Sequence, residues 1–431
     1  MHRVTMQSRR LFPLPALLGA LAVSIWSATA VGQVTARAGV IAFEGARLIV
    51  GDGRPAIERA TLIVSGARLV QVGRAGQVPI PEGATHVNLA GKTVMPAIID
   101  SHTHLSQTRE ALTADLRRRA FYGISAALSL GQDVGDVPFR MRAETLPGAA
   151  RFFTAGRGIT MPEPGRTTAP YWVTSETDAR TAVAELAAQK VDIVKIWVDD
   201  RDHTYKKLTP DLYGAVIDEA HTRGLRVTAH VFYLEDAKGL LRAGIDAFAH
   251  GVRDQDIDAE GLALFKAHRN VIVVPNLPDR GVVADVGWLK DSLPAAEVQK
   301  LQEAATDRPR VQATFGIQAR NLAKLHAAGV RIALGTDGNT PWGPHAEMED
   351  MVAAGMTPAQ VIVAATRTAA ALVGITDAGT LEAGKSADFV VLNANPLEDI
   401  TNTRRIAAVY LRGVQVDRAA LRVNQSAQAN R

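Results

Sequence analysis

The chain contains no cysteine in 431 residues. That excludes disulfides and thiolate metal sites, so any metal must be held by histidine, carboxylate or a modified side chain. No second long apolar run follows the one near the N-terminus, so nothing reads as a membrane span of the mature chain. No Gly-x-Gly-x-x-Gly follows a first strand, which leaves a dinucleotide site without support. Solenoid repeats are missing, and low complexity is confined to the polar tail after about Val423. Net basicity is also lacking. The formal charge is +4, but Arg3, Arg9 and Arg10 lie within residues 1–30, which carry no acid. Without those three the charge falls to +1, which makes no case for nucleic acid.

The first thirty residues read as a targeting segment. Arg9-Arg10 precede an apolar stretch from Leu11 to about Trp26, and Ala28-Thr29-Ala30 fits a small-residue cleavage site. Ser8-Arg9-Arg10-Leu11-Phe12 resembles the twin-arginine signal, which carries folded proteins. The alternative is an ordinary secretory signal with two basic residues. No cysteine follows the stretch, so a lipoprotein anchor is not expected. The expected location is periplasmic or secreted.

Composition allows a large core, with 47% hydrophobic residues. The length suits a barrel of about 250 residues plus a smaller partner. Residues from about Gly39 to Thr93 look all-β, with short apolar runs such as Thr61-Leu62-Ile63-Val64 separated by Gly45, Gly51-Asp52-Gly53 and Ser65-Gly66. The same texture returns in Ala387–Leu392 and Ile406–Leu411. One small β-sandwich built from both ends, 36–93 and 377–423, is therefore expected. Between them, over 94–376, strands alternate with helices. Candidate strands are 94–99, 123–130, 151–155, 191–198, 225–230, 245–250, 271–275 and 331–336. Thr209-Pro210 opens one helix, Val216, Ile217 and Ala220 share its inner face, and Gly224 follows its end. Thr357-Pro358 repeats the opening. Eight such units predict an α/β fold, a (β/α)8 TIM-type barrel, with a doubly wound open sheet as the alternative.

In such barrels the active site lies at the C-terminal strand ends, and those ends carry chemistry here. The first ends in Asp100-Ser101-His102-Thr103-His104. Alternate strand residues point to one side, so both imidazoles can face one ion. Lys195 sits inside the apolar run Val191–Val198. The next strands end in Ala229-His230 and Ala249-His250-Gly251, and the last in Gly335-Thr336-Asp337-Gly338. A buried lysine is costly unless paired or neutral. It can snorkel to the mouth, form a Schiff base, or become an anionic carbamate that bridges two cations. Four histidines and Asp337 on the same rim favour the carbamate. Asp337 could simply cap a turn. Its place after the last strand points instead to a metal ligand that also shuttles a proton. His86, His221, His268 and His326 lack strand-end placement and read as structural or exposed. His203 lies in a charged loop. His345, in Gly343-Pro344-His345, could line the pocket.

Taken in order, these motifs resemble the amidohydrolase superfamily, in its binuclear subtype with a carboxylated lysine. Within it, the chain is similar to imidazolonepropionase-like and Xaa-Pro dipeptidase-like (prolidase) hydrolases. The likeness runs from about residue 39 to 420. It rests on Pro96-Ala97-Ile98-Ile99-Asp100-Ser101-His102-Thr103-His104, Asp192–Ile196, Ala229-His230, Ala249-His250-Gly251, Gly335-Thr336-Asp337 and Ala383–Val391. The resemblance implies two divalent ions, with Zn2+ expected. His102, His104, Lys195 and Asp337 would bind the more buried ion. Carboxylated Lys195, His230 and His250 would bind the other. Two features depart from the family pattern. Ala97 stands where glycine is usual, and Arg157–Pro162 lacks the histidine of the Gly-Gly-His-Gly loop found in several relatives. Tyr171, Tyr233 and Arg253 are candidates for polarising the scissile carbonyl or gripping a substrate carboxylate.

The implied reaction is hydrolysis of an amide or peptide-type bond in a small molecule, a dipeptide or N-acyl amino acid. Lactone, ester or phosphotriester hydrolysis is the alternative with the same centre. Deaminases tend to carry glutamate where Tyr233 stands. A non-catalytic binding protein on this scaffold is a further rival. A homo-oligomer is compatible with all of these.

Overall fold

The computed structural model describes residues 39–422. The expected targeting segment of residues 1–30, the tail after Val423 and the outermost residues of the expected end domain lie outside the described residues.

In chain order the strands are β1 (Val40–Leu48), β2 (Ile57–Ser65), β3 (Arg68–Arg74), β4 (Thr85–Asn88), β5 (Thr93–Pro96), β6 (Ile98–Thr103), β7 (Ile124–Ser129) and β8 (Arg151–Thr154). There follow β9 (Ile159–Thr160), β10 (Tyr171–Trp172), β11 (Val194–Val198), β12 (Val227–Val231), β13 (Ala247–Phe248), β14 (Ile272–Val273) and β15 (Arg331–Ile332). The last three are β16 (Phe389–Leu392), β17 (Ile406–Leu411) and β18 (Val414–Gln415).

Both chain ends contribute to one mixed sheet of eight strands, in the order β18-β17-β16-β5-β1-β2-β3 with β4 beside β1. β5 runs antiparallel to β16, with Pro96 opposite Phe389. The sheet wraps around its own core of Phe43, Leu48, Leu62, Leu69, Phe389 and Tyr410. The Phe43 ring meets Phe389 and Tyr410 edge-on, at centroid distances of 5.1 and 4.9 Å. A bridge from Arg68 to Ser386 brings the far edge round to the start of β16. The hydrogen bonding is thus that of a single curled sheet, where the alternating texture suggested two stacked ones.

The middle of the chain builds a TIM-barrel-type ring. β6, β7 and β8 pair in parallel, and so do β11, β12, β13, β14 and β15. Backbone bonds join the two sets. The Asp192 amide donates to the Thr154 carbonyl at 2.9 Å, and the Ser101 and Thr336 amides donate to Leu334 and His102 at 3.1 and 3.0 Å. The strands form two sheets, β6-β7-β8 and β9 to β15 with β9 and β10 as a short flap beside β11, and these backbone bonds link them at both edges. The segment expected as one strand over 94–99 is two. β5 belongs to the end sheet and β6 to the ring, so the changeover comes at Ala97 and not at residue 93.

Helices fill the intervals as their sequence signals require. Pro210–Thr222 starts behind Thr209, buries Val216, Ile217 and Ala220, and ends at Arg223. Gly224 then takes φ +71°, the left-handed stop for which glycine is suited. Pro358–Val363 opens with a reciprocal Thr357–Gln360 capping box. No helix among the described residues is long and apolar enough to cross a membrane.

Candidate metal centre

His102 lies within β6 and is fully buried, and His104 follows just beyond it. The two-residue period turns both rings to one side, 5.3 Å apart. Asp337 comes from the loop after β15. Its φ is +55°, a conformation that costs a non-glycine residue about 1–3 kcal/mol. Neighbouring bonds hold it there. The Asp337 amide donates to the His102 carbonyl at 2.8 Å, and the His104 amide donates to Gly338 at 3.3 Å. One turn deeper, the Thr336 hydroxyl donates to buried Asp100 at 2.8 Å.

The Asp337 carboxylate is the hub. Its Oδ1 lies 3.0 Å from Nε2 of His102 and 3.0 Å from Nε2 of His104. Its Oδ2 lies 3.4 Å from Nε2 of His250, which follows β13. Burial pushes the Asp337 pKa up, but His102, His104 and His250 outweigh it and hold the group ionised, well below the usual carboxylate range. His102 packs against His250 at 5.0 Å, and His250 against His230 of β12 at 4.5 Å. Burial lowers the pKa of His102 to about 4 and of His230 to about 3, and takes His250 well below its ordinary value. All three rings are therefore neutral near pH 7 and keep lone pairs for a cation.

Lys195 lies on β11, fully buried, its Nζ without a hydrogen-bond partner. Burial lowers its pKa to about 7, Arg253 and Arg201 act in the same direction, and Asp337 opposes them. Gly131 makes its space, since a Cβ there would stand 2.9 Å from Lys195 Cγ; Gly158 does the same for the neighbouring Trp197 ring, which a Cβ would meet at 2.0 Å.

The residues fit a divalent cation. One ligand atom each from His102, His250 and Asp337 lie within 4.8 Å of one another. His102 Nε2, His104 Nδ1, His250 Nδ1 and Lys195 Nζ are buried without hydrogen-bond partners. Orphaned polar atoms cost about 1–3 kcal/mol each; of these four, His102 Nε2 lies against the Asp337 carboxylate at 3.0 Å, where a cation between them would satisfy both. Neutral imidazoles and a carboxylate, with no thiolate, suit a borderline or hard divalent ion.

The sequence-expected residues divide clearly. His102, His104, His250 and Asp337 converge, and Lys195 lies within their electrostatic reach. His230 stands beside His250, but its Nε2 is 2.8 Å from Asp199 Oδ2 and 3.3 Å from Arg201 Nη1. Arg253 is partly buried within electrostatic reach of Asp337 and Asp199, and its Nε has no hydrogen-bond partner. Tyr233 is on the rim and donates to Asp200 at 2.8 Å.

Two expectations are corrected. Tyr171 lies under the Arg157 guanidinium, 4.0 Å from ring to Cζ, and its titration is governed by burial and Glu185, not by the cluster. His345 is buried elsewhere. Its Nδ1 lies 3.0 Å from the Thr403 hydroxyl and its Nε2 2.9 Å from the Tyr122 carbonyl. The helix Gly343–Ala353 starts two residues before it and turns its ring into that socket.

Four site residues escaped the sequence reading. Asn276 Oδ1 lies 2.8 Å from His102 Nδ1. Asp199, Arg201 and Glu163 form a chain behind His230, with Arg201 2.7 Å from Asp199 and 3.1 Å from Glu163. Asp199 and Asn276 are the first polar residues after the runs 191–198 and 271–275, so the strand-end rule applied to every strand would have found them. The remaining histidines behave as surface groups. His86 pairs with Glu44, His203 with Asp200 and His221 with Asp246, all exposed, and His268 lies against the Leu264 carbonyl of its own helix.

The chain is similar to known proteins over most of its length. A family profile described as the amidohydrolase family matches residues 93–416. The imidazolonepropionase of Deinococcus radiodurans is 28% identical over 392 residues, covering 84% of this chain and 92% of that protein. The ochratoxinase of Aspergillus niger is 26% identical over 422 residues, covering 82% and 81% respectively. A crystal structure from Bifidobacterium longum, described as a candidate prolidase, overlays with a TM-score of 0.73 at 27% identity, covering 90% of this chain and 99% of that one.

Proposed function

The chain belongs to the amidohydrolase family and is a hydrolase of carbon–nitrogen bonds; from that premise we propose that it cleaves the amide or peptide-type bond of a dipeptide or N-acyl amino acid. The observation that carries the reading is the convergence of His102, His104, His250 and Asp337 beside a buried, unpartnered Lys195.

In this reading His102, His104, Lys195 and Asp337 hold one divalent ion, with zinc as the proposed metal. Lys195, His230 and His250 hold the second. Such a pair lowers the pKa of bound water toward neutrality and polarises a carbonyl. The protein's own groups do the rest. With its pKa near 7, Lys195 supplies neutral amine at physiological pH. That amine adds carbon dioxide to give a carbamate and releases one proton. Asp337, ionised at rest, takes the proton of the attacking water, is neutral while it holds it, and returns to the carboxylate on passing it to the departing amine. Its weak hold on protons favours the second transfer. Arg253, partly buried and facing Asp337, is placed to grip a substrate carboxylate through its guanidinium fork. That arrangement supports an amino-acid-derived substrate.

Elemental analysis and a hydrolysis screen test this together. We expect close to two metal equivalents per chain, and turnover of Xaa-Pro dipeptides or N-acyl amino acids. Turnover of lactones, aryl esters or phosphotriesters with no amide cleaved would replace the substrate assignment. Metal-free protein that copurifies with a small molecule would point to a binding protein. We further propose that the protein works outside the cytoplasm, because Arg9-Arg10 and the apolar stretch after them have the pattern of an export signal. N-terminal sequencing of the periplasmic fraction checks this, with a start shortly after Ala30 expected.

A further inference from the structure

We infer that Glu347 is a positioning residue of the metal centre, which acts through the backbone of Leu277 to set Asn276 against His102. The inference rests on the metal-centre reading above.

The chain of contacts is short. Asn276 Oδ1 lies 2.8 Å from His102 Nδ1. By accepting from Nδ1–H it fixes the tautomer in which Nε2, the atom facing Asp337, has a free lone pair. Asn276 does this from a backbone φ of +43°, in the left-handed region that asparagine tolerates better than most side chains. The next residue is anchored by Glu347. The Leu277 amide donates to both carboxyl oxygens of Glu347, at 3.1 and 3.2 Å.

Glu347 lies on the helix Gly343–Ala353, whose other acids clamp the far end of the same loop. Glu349 and Asp350 bind Arg280, at 2.5 and 2.8 Å. Arg280 is thereby occupied, and no salt bridge to Glu347 exists among the described residues. Glu347 is 6% exposed. Burial and the neighbouring Asp350 push its pKa well above the ordinary value. A buried carboxyl without a cation is an expensive way to satisfy one amide, and the cost is consistent with a task beyond packing. The helix begins six residues after Asp337, so the element that carries Glu347 follows the Asp337 loop directly in the chain.

The test is a double-mutant cycle read on zinc affinity, by competition with a chromophoric chelator on metal-stripped full-length protein, with Tm recorded in parallel. Glu347→Ala is expected to weaken zinc binding about 10- to 100-fold, as loss of a ligand's outer partner does. Glu347→Gln, whose amide oxygen still accepts from Leu277, should stay within about threefold of wild type. Asn276→Ala should match Glu347→Ala, and the double variant should be no worse than either single one. Unchanged zinc affinity in Glu347→Ala, or losses that multiply in the double variant, would overturn the inference. Should Glu347→Ala fail to fold, Glu347→Met keeps the volume without the acceptor, and wild-type affinity there overturns it equally. Wild-type protein that binds no zinc would instead overturn the metal-centre reading beneath it.

Discussion

A Cβ placed on Gly335 would stand 2.8 Å from the Cβ of His102. The segment after β15 passes so close to β6 that only a hydrogen fits between them. The same Cβ would lie 2.6 Å from Val274, so the space is closed on two sides. This contact lets Asp337, two residues on, reach the rings of His102 and His104.

Gly335→Ala should therefore damage the site before it damages the fold. Overpacking of this kind costs about 1–3 kcal/mol. We expect a lower Tm and a drop in bound metal, measured by calorimetry and elemental analysis. Full metal content with wild-type activity would show that β6 can move aside freely.

Lys195→Ala should lower activity by more than about 100-fold, since it removes a ligand outright. Short carboxylic acids added to the assay should restore part of it by occupying the place of the carbamate. Lys195→Arg cannot add carbon dioxide. Full activity in that variant would rule the carbamate out.

Arg253→Met should raise KM for carboxylate-bearing substrates about 10- to 100-fold, the worth of a charged hydrogen bond of about 1.5–3 kcal/mol. The matching amide or ester of the same substrate should be indifferent to the change. An equal KM rise for both would assign Arg253 to packing.

His345 gives a pH prediction for stability. Burial lowers its pKa from 6.5 to about 4, so the folded protein prefers the neutral ring. Its contribution is complete above about pH 6.5 and is lost as the pH falls toward 4, with a slope of at most about 1.4 kcal/mol per pH unit. His345→Gln should lose less Tm between pH 7 and pH 5 than wild type does. Parallel Tm curves would show that the ring does not titrate there.

What could be read from sequence follows from where polar residues are unusual. His230, His250 and Lys195 interrupt apolar strands, so each is conspicuous. Asp199 and Asn276 are within reach of the strand-end rule, but Arg201 and Glu163 occupy loops, where charge is ordinary, and only folding shows that they line up behind His230. Glu347 sits among other acids on a helix and looks like solvated surface until its burial is seen. The run Val94–Ile99 read as one strand because apolar continuity does not say which sheet a residue joins. His345 followed the last strand in sequence, but the helix that starts at Gly343 turns it toward Tyr122 and Thr403.

Ala97 has a consequence for anyone who would exchange parts between relatives. Its amide donates to Asp388 in the end sheet at 3.1 Å, while the next amide, of Ile98, donates to Gly123 in the ring at 3.0 Å. One residue of slip on either side would turn every β6 side chain to the opposite face. His102 and His104 would then point out of the barrel with every ligand still present. A transplanted end sheet must therefore match its new host at single-residue register, and a graft that folds well while holding no metal would be the mark of a mismatch there.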